Sequence, residues 1–407
     1  MASAGGLSRR RVGGGASSSS STYNDVDDDS NNRRGSANGL SGAGAGGAAG
    51  MGNGGAAHAH AGSAFEGGSK IAFDPRDLQQ DAGEEARIGG KMPRLTIMEE
   101  VLLLGIKDKQ GYLSFWNDNI SYALRGCILI ELALRRRIAL VKDPNRRRVP
   151  IAERIVEVID DRQTGETILD EALKMMKAQQ DIERLSTNSW IDLMSGETWN
   201  VMKIGFQLKQ VRERLAKGLV DKGVLRTEKR NFLLFDMATH PVADVRTKES
   251  IISRVVSLLT STTSAIPPSA LDKEGVQCRV LRAVCLVCAA YTASVLDNAF
   301  GRLGYEEREA AFQRCDEILG EFVCWPYGSA GGLGAGAPQH MTPATAAGRR
   351  RQASRLASGG GLEISGREVV LGLVQEVRKE AIGAEEDPGF ELIAGVLEVL
   401  SKLDSLL

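Results

Sequence analysis

The chain has 407 residues and a formal net charge of −1 at pH 7. A charge this close to zero excludes a global electrostatic field that would favour nucleic acid or a membrane surface, so anion binding must come from a local patch. Six cysteines in a chain with no signal peptide predict reduced thiols in a cytosolic protein. Because no apolar run approaches the roughly 20 residues of a membrane span, we expect a soluble protein that could still lie on a membrane surface.

Residues 1–92 are low in complexity, with runs such as GGGASSSSS and GAGAGGAAG. Such a segment cannot bury enough apolar surface to offset its ordering entropy, which predicts a disordered tail. Arg9, Arg10 and Arg11 stand out within it, although three arginines in a tail are most often a solubilising charge run. A second Gly-, Ala-, Ser- and Arg-rich stretch, 326–361, predicts a disordered insertion.

The remaining sequence, 93–407, predicts a single compact domain that is mainly α-helical and carries one short hydrophobic β-hairpin. Thr96 to Glu99 form a capping box, which is typical of a helix start, and Gly105 ends that helix. Ser114 begins the next helix, at about 115–136, and a short strand follows at about 151–159. Further helices are predicted at about 168–179, 188–194, 199–222, 245–259, 275–300, 306–323, 367–382 and 389–406.

The helix at about 115–136 is unusual because Cys127 to Leu134 are all apolar except Glu131. A helix that is apolar nearly all round is buried. Trp116 and Arg125 precede this run, and arginine is seldom fully buried without a partner, so we expect an anion from the protein or from outside to meet Arg125. The two residues are about half a turn out of phase on a continuous helix. They can therefore face one ligand only if Trp116 precedes the regular helix or the helix is distorted; otherwise Trp116 is a core or cap residue.

The helix predicted at about 199–222 carries one apolar stripe, with steps of three and four between Val201, Ile204, Leu208, Val211, Leu215 and Leu219. At about 100° per residue, Lys209 and Arg212 fall on one flank at the edge of the stripe. Two cations there are costly unless an anion neutralises them. The alternative to an external anion is a structural ion pair, for instance with Glu131 or Asp118.

Gly223 ends this helix, and the next residues predict the hairpin. Val224 and Leu225 would form the first strand, Thr227 to Asn231 a polar turn, and the apolar run Phe232, Leu233, Leu234 and Phe235 the second strand. If only one face of the second strand packs on the core, the other exposes apolar side chains, which mark a partner or a membrane. A strand buried on both faces is the alternative.

The sequence contains little that favours catalysis or metal binding. Cys285 and Cys288 form a C-x-x-C with Cys278 upstream, but no second pair or nearby histidine completes four ligands, which favours core thiols. Neither a Ser-His-Asp set, a P-loop nor an HExxH motif occurs. We therefore expect no enzymatic activity, no metal and no cofactor.

Six long blocks closely resemble the Golgi phosphoprotein 3 family, which includes a yeast vacuolar-sorting member. They are LTIMEEVLLLGIKDKQGYLSFWNDNIS from Leu95, LRGCILIELALR from Leu124, TGETILDEALK from Thr164, SGETWN from Ser195, QLKQVRERLAKGLVDKGVL from Gln207 and TEKRNFLLFDMATHP from Thr227. The resemblance is weaker in the C-terminal helices. It departs from the family at the 326–361 insertion, which has no counterpart, and at Tyr122, which replaces a smaller residue.

This resemblance implies a mostly helical, non-enzymatic adaptor, peripheral on the cytosolic face of the Golgi membrane. The family binds phosphatidylinositol 4-phosphate, the cytosolic tails of Golgi glycosyltransferases, and coatomer, so that these enzymes are retained by retrograde recycling. The family's lipid-pocket residues fall here on Trp116, Arg125, Lys209 and Arg212. Its hydrophobic hairpin, implicated in membrane insertion or self-association as a homo-oligomer, falls on Thr227 to Asp236. Arg9 to Arg11 resemble an arginine cluster that the yeast member uses for coatomer.

The alternative interpretation is a winged-helix-like nucleic-acid-binding protein. A basic helix from Lys209 to Lys222 followed by a hairpin wing suits such a module, and Arg146 to Arg148 would add phosphate contacts. However, the wing carries FLLF where such wings usually carry basic or polar tips, and the net charge is not basic. We therefore expect no nucleic-acid partner.

Overall fold

The computed structural model describes residues 91–113, 119–197, 201–232, 235–329, 366–381 and 387–403, all within the compact unit Gly67–Leu407. Helices dominate these residues, and their only sheets are two antiparallel pairs of short strands. The prediction of a compact, mainly α-helical fold is confirmed. The arginine cluster Arg9 to Arg11 lies outside the described residues.

The helices are α1 Ile97–Gly105, α2 Asn119–Leu134, α3 Thr167–Gln179, α4 Thr187–Ser195, α5 Val211–Asp221, α6 Val245–Leu259, α7 Arg279–Thr292, α8 Leu296–Ala299, α9 Tyr305–Phe322, α10 Gly366–Glu380 and α11 Pro388–Leu400. The strands are β1 Ile138–Leu140, β2 Val156–Val158, β3 Glu228–Phe232 and β4 Phe235–Thr239. Short 3-10 segments lie at Pro144–Arg148, Ile151–Glu153, Val201–Phe206, Pro268–Ala270 and Phe300–Arg302.

Helix α1 begins where its sequence predicts. The Thr96 side chain accepts a hydrogen bond from the Glu99 amide, and the Glu99 carboxylate accepts one from the Thr96 amide. This reciprocal pair satisfies two of the amides that a helix start leaves without partners. All nine residues of α1 are buried, so the helix is part of the core.

Helix α2 lies at the centre of the fold. Every residue from Ala123 to Leu134 is buried, which confirms the burial predicted from its apolar sequence. It packs against α1, α4, α7 and α11. The approach to α11 is close enough that a Cβ at Gly126 would lie 2.9 Å from Leu400 Cδ2, so glycine permits this contact.

The single helix predicted at about 199–222 is wrong. Its described part is a 3-10 segment, Val201–Phe206, then a non-helical stretch, and then α5 from Val211. The Leu208 amide donates to the Met194 carbonyl at 3.0 Å, and Leu208 is fully buried. A tertiary hydrogen bond thus replaces the helical one, and Lys209 and Arg212 do not share a regular helix. Ile204, placed in the apolar stripe, is 48% exposed.

The hairpin forms, but not where the sequence predicts its strands. β3 and β4 pair from Glu228↔Thr239 to Phe232↔Phe235, so the polar stretch is a strand and the apolar run lies at the tip. Leu233 and Leu234 lie outside the described residues. Val224 and Leu225 instead join Pro241 to Ala243 at the base of the hairpin. The polar strand escaped prediction because the alternation rule needs one buried face, whereas most of the β3 and β4 side chains described are partly or fully exposed.

Three other boundaries also differ from the predictions. The helix predicted at 275–300 is divided between α7 and α8 at Ser294, where φ is +54°. The strand predicted at 151–159 is reduced to β2, preceded by a 3-10 turn. Tyr327, assigned to the insertion, belongs to the core, because it is buried and its hydroxyl donates to the Phe390 carbonyl at 2.7 Å.

The cysteines are core residues, as expected: five are buried and Cys324 is half-buried. Within the described ranges, no group of three or more His, Cys, Asp or Glu side chains could hold a metal ion. No single helix in the same ranges has the length and hydropathy of a membrane span; one pair, Arg279–Thr292 with Leu296–Arg302, meets these criteria together but bends by 112° between its halves.

Candidate functional site

Arg125 is a buried arginine whose described hydrogen bonds all go to backbone carbonyls. Its guanidinium donates from Nη2 to Leu208 at 2.7 Å, from Nη1 to Ser121 at 2.8 Å and from Nε to Met194 at 3.3 Å. In the part of the chain that the structure describes, no carboxylate lies within the 4.0 Å of an ion pair with it. Carbonyls thus stabilise the charge without neutralising it.

The pKa of Arg125 shows how exceptional this environment is for a cation. Burial, followed by the charge of Arg212, lowers the pKa to about 10, while Glu213 opposes the shift. At pH 7 the guanidinium is still charged. A second cation is therefore near enough to repel it, and the local field is positive.

Lys209 and Arg212 lie on the surface above this buried arginine. Lys209 follows Leu208, whose carbonyl Arg125 holds, and Arg212 occupies the first turn of α5; both are exposed. Among the described residues, neither makes an ion pair or a side-chain hydrogen bond. Both cations flank the buried Leu208 and Val211, but the regular helix from which the sequence placed them at the edge of the core does not exist.

The start of α5 adds to the positive field. Gln210, the residue that precedes α5, has a φ of +51° and makes no side-chain hydrogen bond to the first amides of the helix. The start of a helix carries a partial positive charge, so cations placed there raise the energy unless an anion is present. Helix-start amides that no described side chain caps, together with two cations, are the features of an anion-binding site.

The alternative of an ion pair with Glu131 is wrong. The Glu131 carboxylate is fully buried and accepts from Arg135 Nε at 2.9 Å, from Arg282 at 3.0–3.1 Å and from the Ile97 amide at 3.2 Å. It is thus committed to other partners. Asp118, the other candidate, lies outside the described residues.

Trp116 also lies outside the described residues. That Trp116 precedes the regular helix, one of the conditions for a ligand shared with Arg125, therefore stays a prediction. Tyr122, the residue that departs from the family, is half-buried on α2 and donates from its hydroxyl to Asp192 Oδ1 at 2.5 Å. Burial raises the pKa of both groups. This bond connects α2 to α4 beside the site.

Sequence reasoning missed the backbone groups that build the site. Met194 and Leu208 contribute through their carbonyls, which any residue type could supply, so composition holds no signal for them. Gly196 was a usable signal: it ends α4 with a φ of +87°, and a Cβ there would lie 2.4 Å from Gln207 Nε2. The side chain of Gln207 passes over this glycine, which brings the two chain segments together.

The hairpin is fixed at its base, away from its tip. The His240 amide donates to the Gly111 carbonyl at 2.8 Å, and Arg230 bonds the Lys109 carbonyl. Gly111 has a φ of +73°, and a Cβ there would lie 2.4 Å from the Pro241 nitrogen. Only glycine suits this contact.

The nucleic-acid interpretation assigns Arg146 to Arg148 to phosphate contacts, but one of these arginines is bonded within the protein. Arg146 donates from Nε to both Glu391 oxygens at 3.0 and 3.2 Å, and Arg154 bonds the same buried carboxylate. Arg146 therefore holds the loop onto α11. This removes one of the phosphate contacts that the interpretation required.

The chain is similar in sequence to known proteins. The Golgi phosphoprotein 3 (GPP34) family profile matches residues 97–347. The chain is 62% identical over 258 residues to vacuolar protein sorting-associated protein 74 of Schizosaccharomyces pombe, which covers 63% of this chain and 74% of that protein. It is 45% identical over 342 residues to the protein of the same name from Eremothecium gossypii, with 83% and 90% covered. The chain therefore belongs to the Golgi phosphoprotein 3 family.

Proposed function

We propose that this chain is a non-enzymatic, Golgi-associated adaptor that docks on the membrane by binding phosphatidylinositol 4-phosphate. Its family membership supports the Golgi-associated adaptor role. One observation carries the lipid binding: Arg125, Lys209 and Arg212 adjoin the start of α5 and have no carboxylate partner among the described residues. A phosphorylated headgroup supplies the missing negative charge.

The three cations have different tasks in this proposal. A guanidinium has five N–H donors, and the three carbonyl bonds of Arg125 leave two for a phosphate oxygen. Arg212 offers a planar fork and Lys209 a compact point charge, both suited to phosphate. Because the screening length is about 8 Å in physiological salt, a local cluster of this kind acts independently of the net charge of the chain.

The rest of the proposed function rests on the family resemblance. Trp116 would lie at the membrane–water boundary, which suits an amphipathic indole. The hairpin tip from Phe232 to Phe235 would enter the membrane or mediate self-association. Arg9 to Arg11 would bind coatomer, while another surface holds the cytosolic tails of glycosyltransferases. Together these contacts would retain the enzymes from the cytosolic face of the Golgi.

Sedimentation with vesicles tests the lipid binding. The chain should sediment with phosphatidylcholine vesicles that contain phosphatidylinositol 4-phosphate and far less with vesicles that contain phosphatidylserine at equal charge. Lys209→Ala with Arg212→Ala should weaken binding by about a hundredfold, since two charge-assisted contacts are lost. Both side chains are exposed, so the variant should remain folded.

The matched control is Lys174→Ala with Lys217→Ala, which removes two exposed lysines, one from α3 and one further along α5. This variant should bind as the wild type does. Equal losses in both double variants would mean that only the overall charge matters. Equal sedimentation with both kinds of anionic vesicle would contradict the proposal.

Cells can test the wider adaptor role. A fluorescent fusion of the chain should concentrate on the Golgi, and Lys209→Ala with Arg212→Ala should disperse it. Replacement of Arg9 to Arg11 by alanine should leave the fusion on the Golgi and reduce the coatomer recovered with it. Undiminished coatomer recovery would remove the arginine cluster from the proposal.

A further inference from the structure

Two large apolar side chains are exposed immediately before the cationic cluster. Met202 is 87% and Ile204 48% exposed, both within the 3-10 segment Val201–Phe206. Single exposed apolar residues need no explanation, but these two belong to one short segment that leads directly into the cationic cluster. We call Met202 and Ile204 the apolar ledge.

The apolar ledge lies on a segment that is fixed to the core. Phe206 contacts Trp190 edge to face, with ring centroids 6.2 Å apart, and Lys203 Nζ lies 2.8 Å from a Glu183 carboxylate oxygen. These two contacts hold the segment at Lys203 and at Phe206, while Met202 and Ile204 are exposed. Ile182, next to Glu183, is also 80% exposed.

The ledge lies close along the chain to the proposed headgroup site. The Gln207 amide donates to the Ile204 carbonyl at 3.1 Å, and the next residue, Leu208, holds Arg125. Lys209 and Arg212 follow within eight residues of Ile204. The charge of Lys203 is already balanced by Glu183, so the ledge itself is close to neutral.

An apolar surface next to an unneutralised cationic cluster matches the two layers of an anionic bilayer. Phosphate groups lie at the level of the cations, and acyl chains begin a few ångströms deeper, where apolar side chains gain by leaving water. A protein partner with an acidic patch would satisfy the cations equally well, but it would not need apolar contact beside them. The lipid surface is therefore the occupant that uses both features.

We propose that Met202 and Ile204 enter the boundary between headgroups and acyl chains when the adjacent cations hold a phosphoinositide headgroup. This inference rests on the proposed lipid binding and adds a second, nonelectrostatic contact, distinct from the hairpin. The ledge would act only on a bilayer, whereas the cations would act on both a bilayer and a free headgroup.

The test compares vesicles with the free headgroup. Met202→Ser with Ile204→Ser should weaken binding to phosphatidylcholine vesicles containing phosphatidylinositol 4-phosphate by about tenfold, since two side chains no longer leave water. Its affinity for soluble inositol 1,4-bisphosphate, measured by calorimetry, should equal that of the wild type. Lys209→Ala with Arg212→Ala should lose both activities.

Ile159→Ser with Tyr305→Ser is the matched control, because these side chains are 52% and 79% exposed elsewhere on the surface. It should bind vesicles as the wild type does. If the ledge variant binds vesicles as tightly as this control, the inference is overturned and the proposed function stands. If the wild type binds neither the headgroup nor the vesicles, both are overturned.

A fluorescent label reports insertion directly. All six native cysteines are buried or half-buried, so Met202→Cys supplies an exposed thiol for an environment-sensitive dye. Its emission should shift to the blue with phosphatidylinositol 4-phosphate vesicles and stay unchanged with inositol 1,4-bisphosphate. An unchanged spectrum on vesicles that bind the protein would place the ledge in water and overturn the inference.

Discussion

Two regions of helix α2 differ in whether a buried arginine has a carboxylate partner. Toward the end of the helix, Glu131 is fully buried and accepts hydrogen bonds from Arg135 and Arg282. Toward its start, Arg125 is buried against carbonyls with no carboxylate partner among the described residues, and Arg212 adds to its charge. In the first region the arginines contact a carboxylate of the protein, whereas in the second no described carboxylate contacts Arg125.

The pKa values reflect the same contrast. Burial alone would raise the pKa of Glu131, but Arg282 and Arg135 lower it to about 2, so the carboxylate is charged wherever the protein is folded near neutral pH. The pKa of Arg125 is lowered by burial and by Arg212. A buried charge that is paired within the protein indicates a structural role, whereas a charge near the surface without an opposite charge indicates a binding role.

Removal of the Glu131 carboxylate should have the largest effect on the free energy of unfolding. Glu131→Gln leaves Arg135 and Arg282 buried without a counterion, which should lower the free energy of unfolding by about 3–5 kcal/mol. Urea unfolding measures the loss. Glu171→Gln, which removes an exposed partner of Arg214, should cost at most about 1 kcal/mol. A similar loss in both variants would abolish the distinction between the regions.

Substitution of Arg125 should be less costly because no counterion is left behind. Arg125→Lys keeps the charge but cannot reach the Leu208, Ser121 and Met194 carbonyls at once, so we expect a loss of about 2–3 kcal/mol in urea. Calorimetry should also show weaker binding of inositol 1,4-bisphosphate. Wild-type stability would mean that the three carbonyl bonds do not hold the loop at Leu208.

Glu100, another buried carboxylate, tests whether the number of neighbouring cations decides the direction in which burial and charge shift a pKa. Glu100 pairs with a single arginine, Arg254, and burial raises its pKa to about 7. Since the folded state then holds a proton that the unfolded state releases above about pH 4.5, stability should fall as the pH rises from about 4.5 to about 7. The loss should be about 3 kcal/mol in thermal unfolding. Glu100→Gln should flatten the curve, and parallel curves for variant and wild type would exclude this explanation.

The smallest expected change is in ligand affinity and follows from a substitution near Arg125. Glu213 is exposed in the first turn of α5 and partly offsets the positive field at Arg125. Glu213→Gln should strengthen binding of inositol 1,4-bisphosphate about two- to threefold at low salt, and less as salt screens the charge. Asp221→Asn makes the same charge change at the other end of α5 and should leave the affinity unaltered. Equal gains would indicate a general charge effect.

The sequence predicted those elements whose signals are local. The capping box of α1, the limits of α6 at Val245 and Leu259, and the end of α4 at Gly196 all agree with the structure. The burial of α2 also followed from composition. These features depend on side-chain caps, glycine conformation and apolar content, which act over a few residues.

The failures occur where a tertiary contact overrides the local signal. Residues 207–210, where the predicted helix is broken, include no proline and no glycine. The break exists because the Leu208 amide donates to Met194 and the Leu208 carbonyl accepts from Arg125. The polar β3 strand forms because β4 pairs with it and the Gly111 contact holds its base. Tyr327 belongs to the core because Phe390, 63 residues away, accepts its hydroxyl.

The candidate site is divided in the same way. The residue types and the resemblance identified Arg125, Lys209 and Arg212, since cations at the edge of a core predict an anion. Only the folded chain determined that Glu131 is used elsewhere and that carbonyls hold Arg125. Neutralisation depends on distances across the fold, which composition and periodicity do not contain. The buried helix and its arginine were thus readable from the sequence, whereas the absence of a counterion near Arg125 among the described residues was decided by tertiary packing.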